Sequence, residues 1–216
     1  MTAPARFVTF EGGEGAGKTT QINRLGERLA KAGLSVVTTR EPGGSPGAEA
    51  IRNLLVAGEV GRWDPVTEAF LMIAARRDHW LKTIKPALDA GRWVISDRFH
   101  DSTRAYQGYG RGVADADIEA LRRLAIGETK PNLTLILDLP VADGLGRAQA
   151  RLKAKGSGED RFERMDTGFH ERMRQGFLAI AKAEPARCVV IDARGDIDSV
   201  HAVVVAAVAD RLGVTL

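Results

Sequence analysis

Eight residues, Gly12-Gly13-Glu14-Gly15-Ala16-Gly17-Lys18-Thr19, satisfy G-x-x-x-x-G-K-[ST] and constrain this chain more than anything else in it. Directly before them runs Phe7-Val8-Thr9-Phe10-Glu11, a β-rich stretch, and directly after them an amphipathic helical pattern begins. The motif carries meaning only in that strand-to-helix setting. Its glycines let the backbone curl so that successive N–H groups, and the positive end of the following helix, face an anion. In this reading Gly12, Gly13, Glu14, Gly15, Ala16, Gly17, Lys18, Thr19 and Thr20 receive the phosphates of ATP. Lys18 reaches the β- and γ-phosphates, and the Thr19 hydroxyl ligates Mg²⁺. The competing reading, a glycine-rich turn with an incidental lysine, does not account for both flanks.

The remainder reads as the fold such a motif requires. Strands are expected at 7–11, 35–40, 93–97, 133–138 and 188–192. Between them lie helical patterns at 19–32, 48–57, 66–77, 85–90, 115–124, 167–183 and 197–212, the first, second and fourth stopping at Gly33, Gly58 and Gly91. Strands alternating with helices predict an α/β parallel sheet, whose ligands gather at the carboxyl ends of the strands. The small and charged residues of 153–159 suit a mobile lid.

Composition narrows the function class. A chain of 216 residues fits one domain, 1–216, and 44% hydrophobic with 27% charged residues excludes disorder and fibrous repeats. The net charge of +3 is spread along the chain. It suits small anionic substrates and argues against nucleic acid, which calls for a concentrated basic patch. The single cysteine, Cys188, has no partner for an internal disulfide and sits in an apolar run. The amino terminus lacks an apolar signal core, and the longest aliphatic stretch, 203–208, falls far short of a membrane span. A cytoplasmic location, with no membrane partner, is expected.

A phosphate cradle does not say what receives the phosphoryl group. Three further segments bear on that. Thr39-Arg40-Glu41-Pro42-Gly43-Gly44 closes the second strand, with Arg52 on the helix behind it. Met72 and Arg76 lie four apart and share a helical face. The third strand runs into Asp97-Arg98-Phe99-His100-Asp101-Ser102-Thr103-Arg104-Ala105-Tyr106-Gln107-Gly108. Asp97 at a strand end is positioned to hold Mg²⁺ or its waters, and Arg98 offers a planar fork for phosphate. Arginines and one acid converging on a P-loop edge are what phosphoryl transfer needs, because positioning and positive charge stabilise its transition state.

These segments, together with Phe10-Glu11-Gly12 and Asp160-Arg161-Phe162-Glu163, resemble in order, over nearly the whole chain, the bacterial thymidylate kinases. The resemblance implies a P-loop three-layer sandwich with a five-stranded parallel sheet of order 2-3-1-4-5. It also implies a homodimer and Mg²⁺-dependent conversion of dTMP and ATP to dTDP and ADP. By the family pattern Lys18, Asp97, Arg98 and Arg151 are catalytic, with Thr19 and Asp97 at the magnesium. Arg40, Arg52 and Arg98 would hold the acceptor phosphate, with Glu41, Pro42 and Ser102 beside them. Arg76 would donate to a thymine oxygen, Thr103 and Gln107 would sit at the base edge, Tyr106 would press on the deoxyribose, and Glu14 would approach the 3′-hydroxyl. The family carries an assisting arginine in either the P-loop or the lid. None lies between Gly12 and Lys18, so Arg147, Arg151 and Arg161 in a lid at about 147–163 become ATP-binding candidates, Arg151 first among them. One departure stands out: Met72 occupies the place of the usual stacking phenylalanine, with Phe70 near enough in sequence to help.

His79, His100, His170 and His201 show no ligand spacing, so no zinc is assigned. Trp63, Trp80 and Trp93 read as core or interface, and Asp138, at a strand end, as structural. Another nucleoside or nucleotide kinase of this architecture remains open. A guanine-nucleotide switch would carry Asn-Lys-x-Asp, and no asparagine here precedes lysine.

Overall fold

A computed structural model describes residues 4–155 and 160–216, with the side chains of 151 and 153–155 excepted. The described residues form one parallel sheet in the order β2-β3-β1-β4-β5. Its strands are β1 (Phe7–Glu11), β2 (Val36–Arg40), β3 (Trp93–Asp97), β4 (Leu133–Asp138) and β5 (Cys188–Asp192). The helices are α1 (Lys18–Lys31), α2 (Pro46–Val56), α3 (Pro65–His79), α4 (Lys85–Asp89), α5 (His100–Thr103), α6 (Asp115–Ile126), α7 (Val141–Lys155), α8 (Thr167–Ala183) and α9 (Ile197–Leu212). The strand order and parallel sense are those the family resemblance implies.

Period-two alternation divides the sheet between two covering layers. Val8, Phe10, Ile95, Leu135 and Leu137 point to one side and are sealed by Leu25 and Leu29 of α1 and Val204 of α9. All eight are fully buried, and each contributes about 1.5–3 kcal/mol of transfer free energy. Toward the other side, Phe7 and Val94 pack with Ile73, Trp80, Ile84 and Phe99, while Ile136 meets Tyr106, Phe169, Met173 and Phe177. The strand centres there are polar: Thr9 and Thr134 share a hydrogen bond at 2.9 Å, and Arg187 donates to both Thr134 and Asp101. Glu11 lies on this polar side, beneath α5.

Pairing register fixes what stands beside what at the carboxyl edge. Asp97 pairs with Phe10 of β1 and with Arg40 of β2. The P-loop, Arg40 and Asp97-Arg98 therefore emerge side by side from adjacent strands, about 4.8 Å apart.

Two helical stretches depart from the expected pattern. Residues 100–110 are helical throughout, α5 leading into a π-helical segment, Arg104–Gly110. A second π-helical turn, Trp80–Ile84, joins α3 to α4. Helix α7 has no counterpart among the expected helices; it starts at Val141 and reaches Lys155, inside the segment read as a loop. Residues 156–159 of that segment lie outside the described residues.

Candidate active site

Lys18 opens α1, a helix with no acid in its first turn. Acids there would favour the helix but oppose an anionic ligand. The Lys18 side chain folds back over the loop, donating to the carbonyls of Gly13 at 2.7 Å and Gly12 at 3.2 Å. Burial, then the nearby Arg98 charge, push its ammonium down to about 8. A phosphate would restore the charge. Two glycines of the loop are fixed by close backbone approach. Gly12 holds φ of 122°, and a Cβ there would fall 2.3 Å from the Leu137 carbonyl oxygen. Gly15 at φ 68° would place one 2.1 Å from the carbonyl of Gly144 on α7. The loop is thus clamped between β4 and the first turn of α7.

Thr19 donates its hydroxyl to Asp97 Oδ2 at 2.9 Å. The two form a hard-oxygen pair at the mouth of the P-loop, the donor chemistry that magnesium takes. Asp138, the other acid at a strand end, is held at 2.8 and 2.9 Å by both arms of the Arg174 fork.

Arg98 follows Asp97 and is, among the described residues, the one non-glycine at positive φ, 71°. That conformation costs an L-residue roughly 1–2 kcal/mol. The backbone is pinned by its own N–H to the Phe10 carbonyl (2.8 Å) and by the Ser96 hydroxyl donating to its carbonyl (2.7 Å). So held, the guanidinium lies 4.9 Å above the Tyr106 ring and donates to the Gly12 carbonyl, Ser102 Oγ and Glu14 Oε1. Burial opposes the Arg98 charge, but Tyr106, Glu14 and Asp97 outweigh it and raise the pKa. Burial likewise opposes the Glu14 charge, and Arg98 and Lys18 reverse the balance and lower its pKa. The Tyr106 hydroxyl donates to the same Glu14 oxygen.

A cleft of about 1060 Å³ runs along this edge, above the size of a single small-molecule site. It brings together Glu14 through Thr20, Arg40, Glu41, Pro42, Arg52, Met72, Arg76, Asp97, Arg98, Ser102, Thr103, Tyr106 and Gln107, as the sequence predicts. Arg52 donates to the Pro42 carbonyl, and Arg40 spans both oxygens of Glu49 at 3.1 Å. Arg76 is almost wholly buried, donating to Glu41, to Thr103 Oγ1 at 2.9 Å and to the Phe99 carbonyl. Met72 lines the cleft against the Tyr106 cluster, but Phe70, two residues earlier, is 55% exposed on the opposite face of α3. It does not line the cleft.

Two expected contacts have protein partners in this structure. Glu41, expected at the substrate, lines the cleft with its carboxylate bonded to Arg76 at 2.7 Å and to His79 Nδ1 at 3.0 Å. It braces Arg76. Arg161 was read as a lid arginine for ATP, yet it is fully buried and outside the cleft lining. It donates to the Leu55 carbonyl and pairs with Glu68. Removing either member of such a buried pair costs about 3–5 kcal/mol, so Arg161 anchors its segment to α2 and α3. Arg147 is exposed on α7 beside Gly15 and donates weakly to the Ala193 carbonyl. The side chain of Arg151 lies outside the described residues.

Sequence reasoning missed Glu11, Glu68, His79 and His170. Buried Glu11 accepts from the Phe99 N–H and the Ser102 hydroxyl, and burial followed by repulsion from Asp101 raises its carboxyl to about 8. His79 links Glu41 to Thr39 Oγ1, and His170 Nδ1 stands 3.7 Å from Glu14 Oε2. Only Glu68 left a signal, standing four and eight residues before Met72 and Arg76 on one helical face.

The family model for thymidylate kinase matches residues 10–204. A thymidylate kinase of Caulobacter vibrioides is 57% identical over 207 residues, 96% of this chain and 97% of the relative. One of Nitrobacter hamburgensis is 53% identical over 96% of this chain and 89% of its own. The crystal structure of thymidylate kinase from Ehrlichia chaffeensis superposes with a TM-score of 0.75 at 39% identity, covering 95% of this chain and 99% of that one.

Proposed function

The chain belongs to the thymidylate kinase family and phosphorylates dTMP with ATP as donor, and from that premise we propose how its own residues carry the transfer. The observation that carries the reading is that one cleft is lined both by P-loop residues, Lys18 among them, and by the arginines Arg40, Arg52 and Arg98.

In this reading the P-loop amides and Lys18 hold the β- and γ-phosphates of ATP, and the three arginines hold the dTMP phosphate. Transfer between them needs alignment and positive charge more than covalent chemistry. Thr19 and Asp97 would hold Mg²⁺, which when bound neutralises charge on the donor phosphates. Arg98 reaches from the end of β3 to the P-loop, donating to the Gly12 carbonyl and to Glu14, and its strained backbone fixes its aim. Tyr106 and Glu14 form the sugar wall, while Arg76, Thr103, Gln107 and Met72 form the base pocket. With no P-loop arginine, the lid at about 147–163 supplies the assisting cation, Arg151 in first place and Arg147 beside the loop as second.

The whole chain acts as one kinase domain in the cytoplasm. Homodimer formation is supported by the exposed apolar side chains Val66, Phe70 and Leu124 on α3 and α6, helices packed on each other. Among the described residues no helix is long and apolar enough to cross a membrane.

The test is ADP release coupled to acceptor: dTMP against dUMP, dCMP and thymidine, with and without magnesium, then with Arg98→Ala and Arg151→Ala. dTMP is expected to be preferred. Each variant should lose about 10²–10³ in kcat/KM, the scale for removing one transition-state charge donor. Wild-type turnover by Arg151→Ala would move the assisting role to another lid residue.

A further inference from the structure

Glu68 lies in the first turn of α3 and is fully buried. Its Oε2 is paired with two guanidinium groups, Arg161 and, at 2.9 Å, Arg111. Its Oε1 accepts from the side-chain amide of Gln107 at 2.9 Å. A carboxylate ion has no proton to donate, so the Gln107 NH₂ must face Glu68, and the amide carbonyl must face away from it. Gln107 is itself buried, lines the cleft, and receives no donor at Oε1 from the described residues.

The neighbours of that carbonyl offer the opposite polarity. Arg76 spends one N–H of each terminal nitrogen on Thr103 and Phe99, and keeps a second on each. Thr103 Oγ1 accepts from Arg76, so its own proton is available. The base pocket therefore presents donors from Arg76 and Thr103 and, from Gln107, an acceptor carbonyl. A keto pyrimidine carries a matching set, ring carbonyl acceptors and an N3–H donor. Cytosine carries a lone pair at N3 and would set it against the Gln107 lone pairs.

We propose that Glu68 is the positioning residue for base specificity, locking the Gln107 amide with its carbonyl toward the cleft and so selecting pyrimidines that carry a ring N3–H. The proposal rests on the dTMP reading of this cleft and adds what enforces it. It singles out the ring N–H, not the 5-methyl group, as the feature Glu68 selects.

Glu68→Gln makes a directional test. Its amide oxygen would be claimed by Arg161 and Arg111, turning its NH₂ toward Gln107. The Gln107 carbonyl would then swing to meet that NH₂ and turn its own NH₂ to the base, a donor suited to cytosine. The kcat/KM ratio of dTMP to dCMP should fall by about 10- to 100-fold, the scale of one buried hydrogen bond gained or lost. The dTMP to dUMP ratio should stay as in wild type. Gln107→Leu, which leaves the Glu68 ion pairs intact, should lower the dTMP to dCMP ratio as well. On that background Glu68→Gln should change the ratio no further.

Equal losses for all three acceptors in Glu68→Gln would make the residue a structural strut and overturn the proposal. So would an unchanged ratio in Gln107→Leu, a result that stands even if the Glu68 variant fails to fold. A wild-type protein that phosphorylates no dTMP would instead sink the functional reading itself.

Discussion

Glu11 and Lys18 stand at the two ends of the P-loop, and burial moves both toward neutrality, to about 8. Their pH signatures differ. Phosphates that restore the Lys18 charge must bring a proton with them above about pH 8, so ATP affinity should fall by up to about tenfold per pH unit from there. Calorimetry in buffers of unlike ionisation enthalpy should register that uptake at pH 8.5 and little at pH 6.5. Glu11 acts on stability. Its folded pKa of about 8 stands above its ordinary 4.5, so between those values the folded protein keeps a proton that the unfolded chain has released. Stability contributed by that proton is complete below pH 4.5 and is lost as pH climbs through 8. Glu11→Gln cannot release it, and its melting temperature relative to wild type should rise steadily from pH 5 to pH 8.5. A flat difference across that range would mean Glu11 is ionised in the fold.

Among the elements, the strands were the readable part. All five lie where apolar runs end in polar loops, because strands covered on both faces need little else. The helices that escaped notice did so for a reason tied to their work. Residues 100–110 carry His100, Asp101, Ser102, Thr103, Tyr106 and Gln107 inward, so polar groups occupy the positions where periodicity is sought, and π-helical geometry shifts the spacing after Arg104. Helix α7 is weakened as a pattern by Gly144 and Gly146. Gly144 is required: a Cβ there would fall 2.5 Å from the Glu14 carbonyl oxygen. Gly144→Ala would ordinarily stabilise a helix by about 1 kcal/mol. Here it should lower the melting temperature and raise the KM for ATP, by pushing the P-loop away from α7. Most residues named from contiguous motifs line one cleft, although Glu41 and Arg161, also in such motifs, are held by other partners. Glu11, Glu68 and His79 act through partners 91, 39 and 38 positions distant, and such pairings exist only once the chain has folded.

At the scale of the molecule, the exposed apolar side chains of α3 and α6 set the assembly prediction. Phe70 and Leu124 are 55% and 82% exposed, on helices tied together by Arg77 donating to the Ala125 carbonyl. Light scattering should give twice the 23.3 kDa chain mass. Phe70→Asp with Leu124→Asp should return a monomer, because a charge buried across a dimer contact costs far more than the contact gains. A monomeric wild type would reject the homodimer.

Arg40, Asp97 and Phe10 share one rung of the sheet. The spacing of the strand ends from which the P-loop, Arg40 and Arg98 emerge is therefore a property of the β-lattice. Adding or deleting one residue within β2 or β3 would turn Arg40 or Asp97 to the opposite face and carry it off by a whole repeat. Length variation among kinases built this way should accordingly collect in the lid and in the outer helices. The two strands that set the gauge should tolerate none.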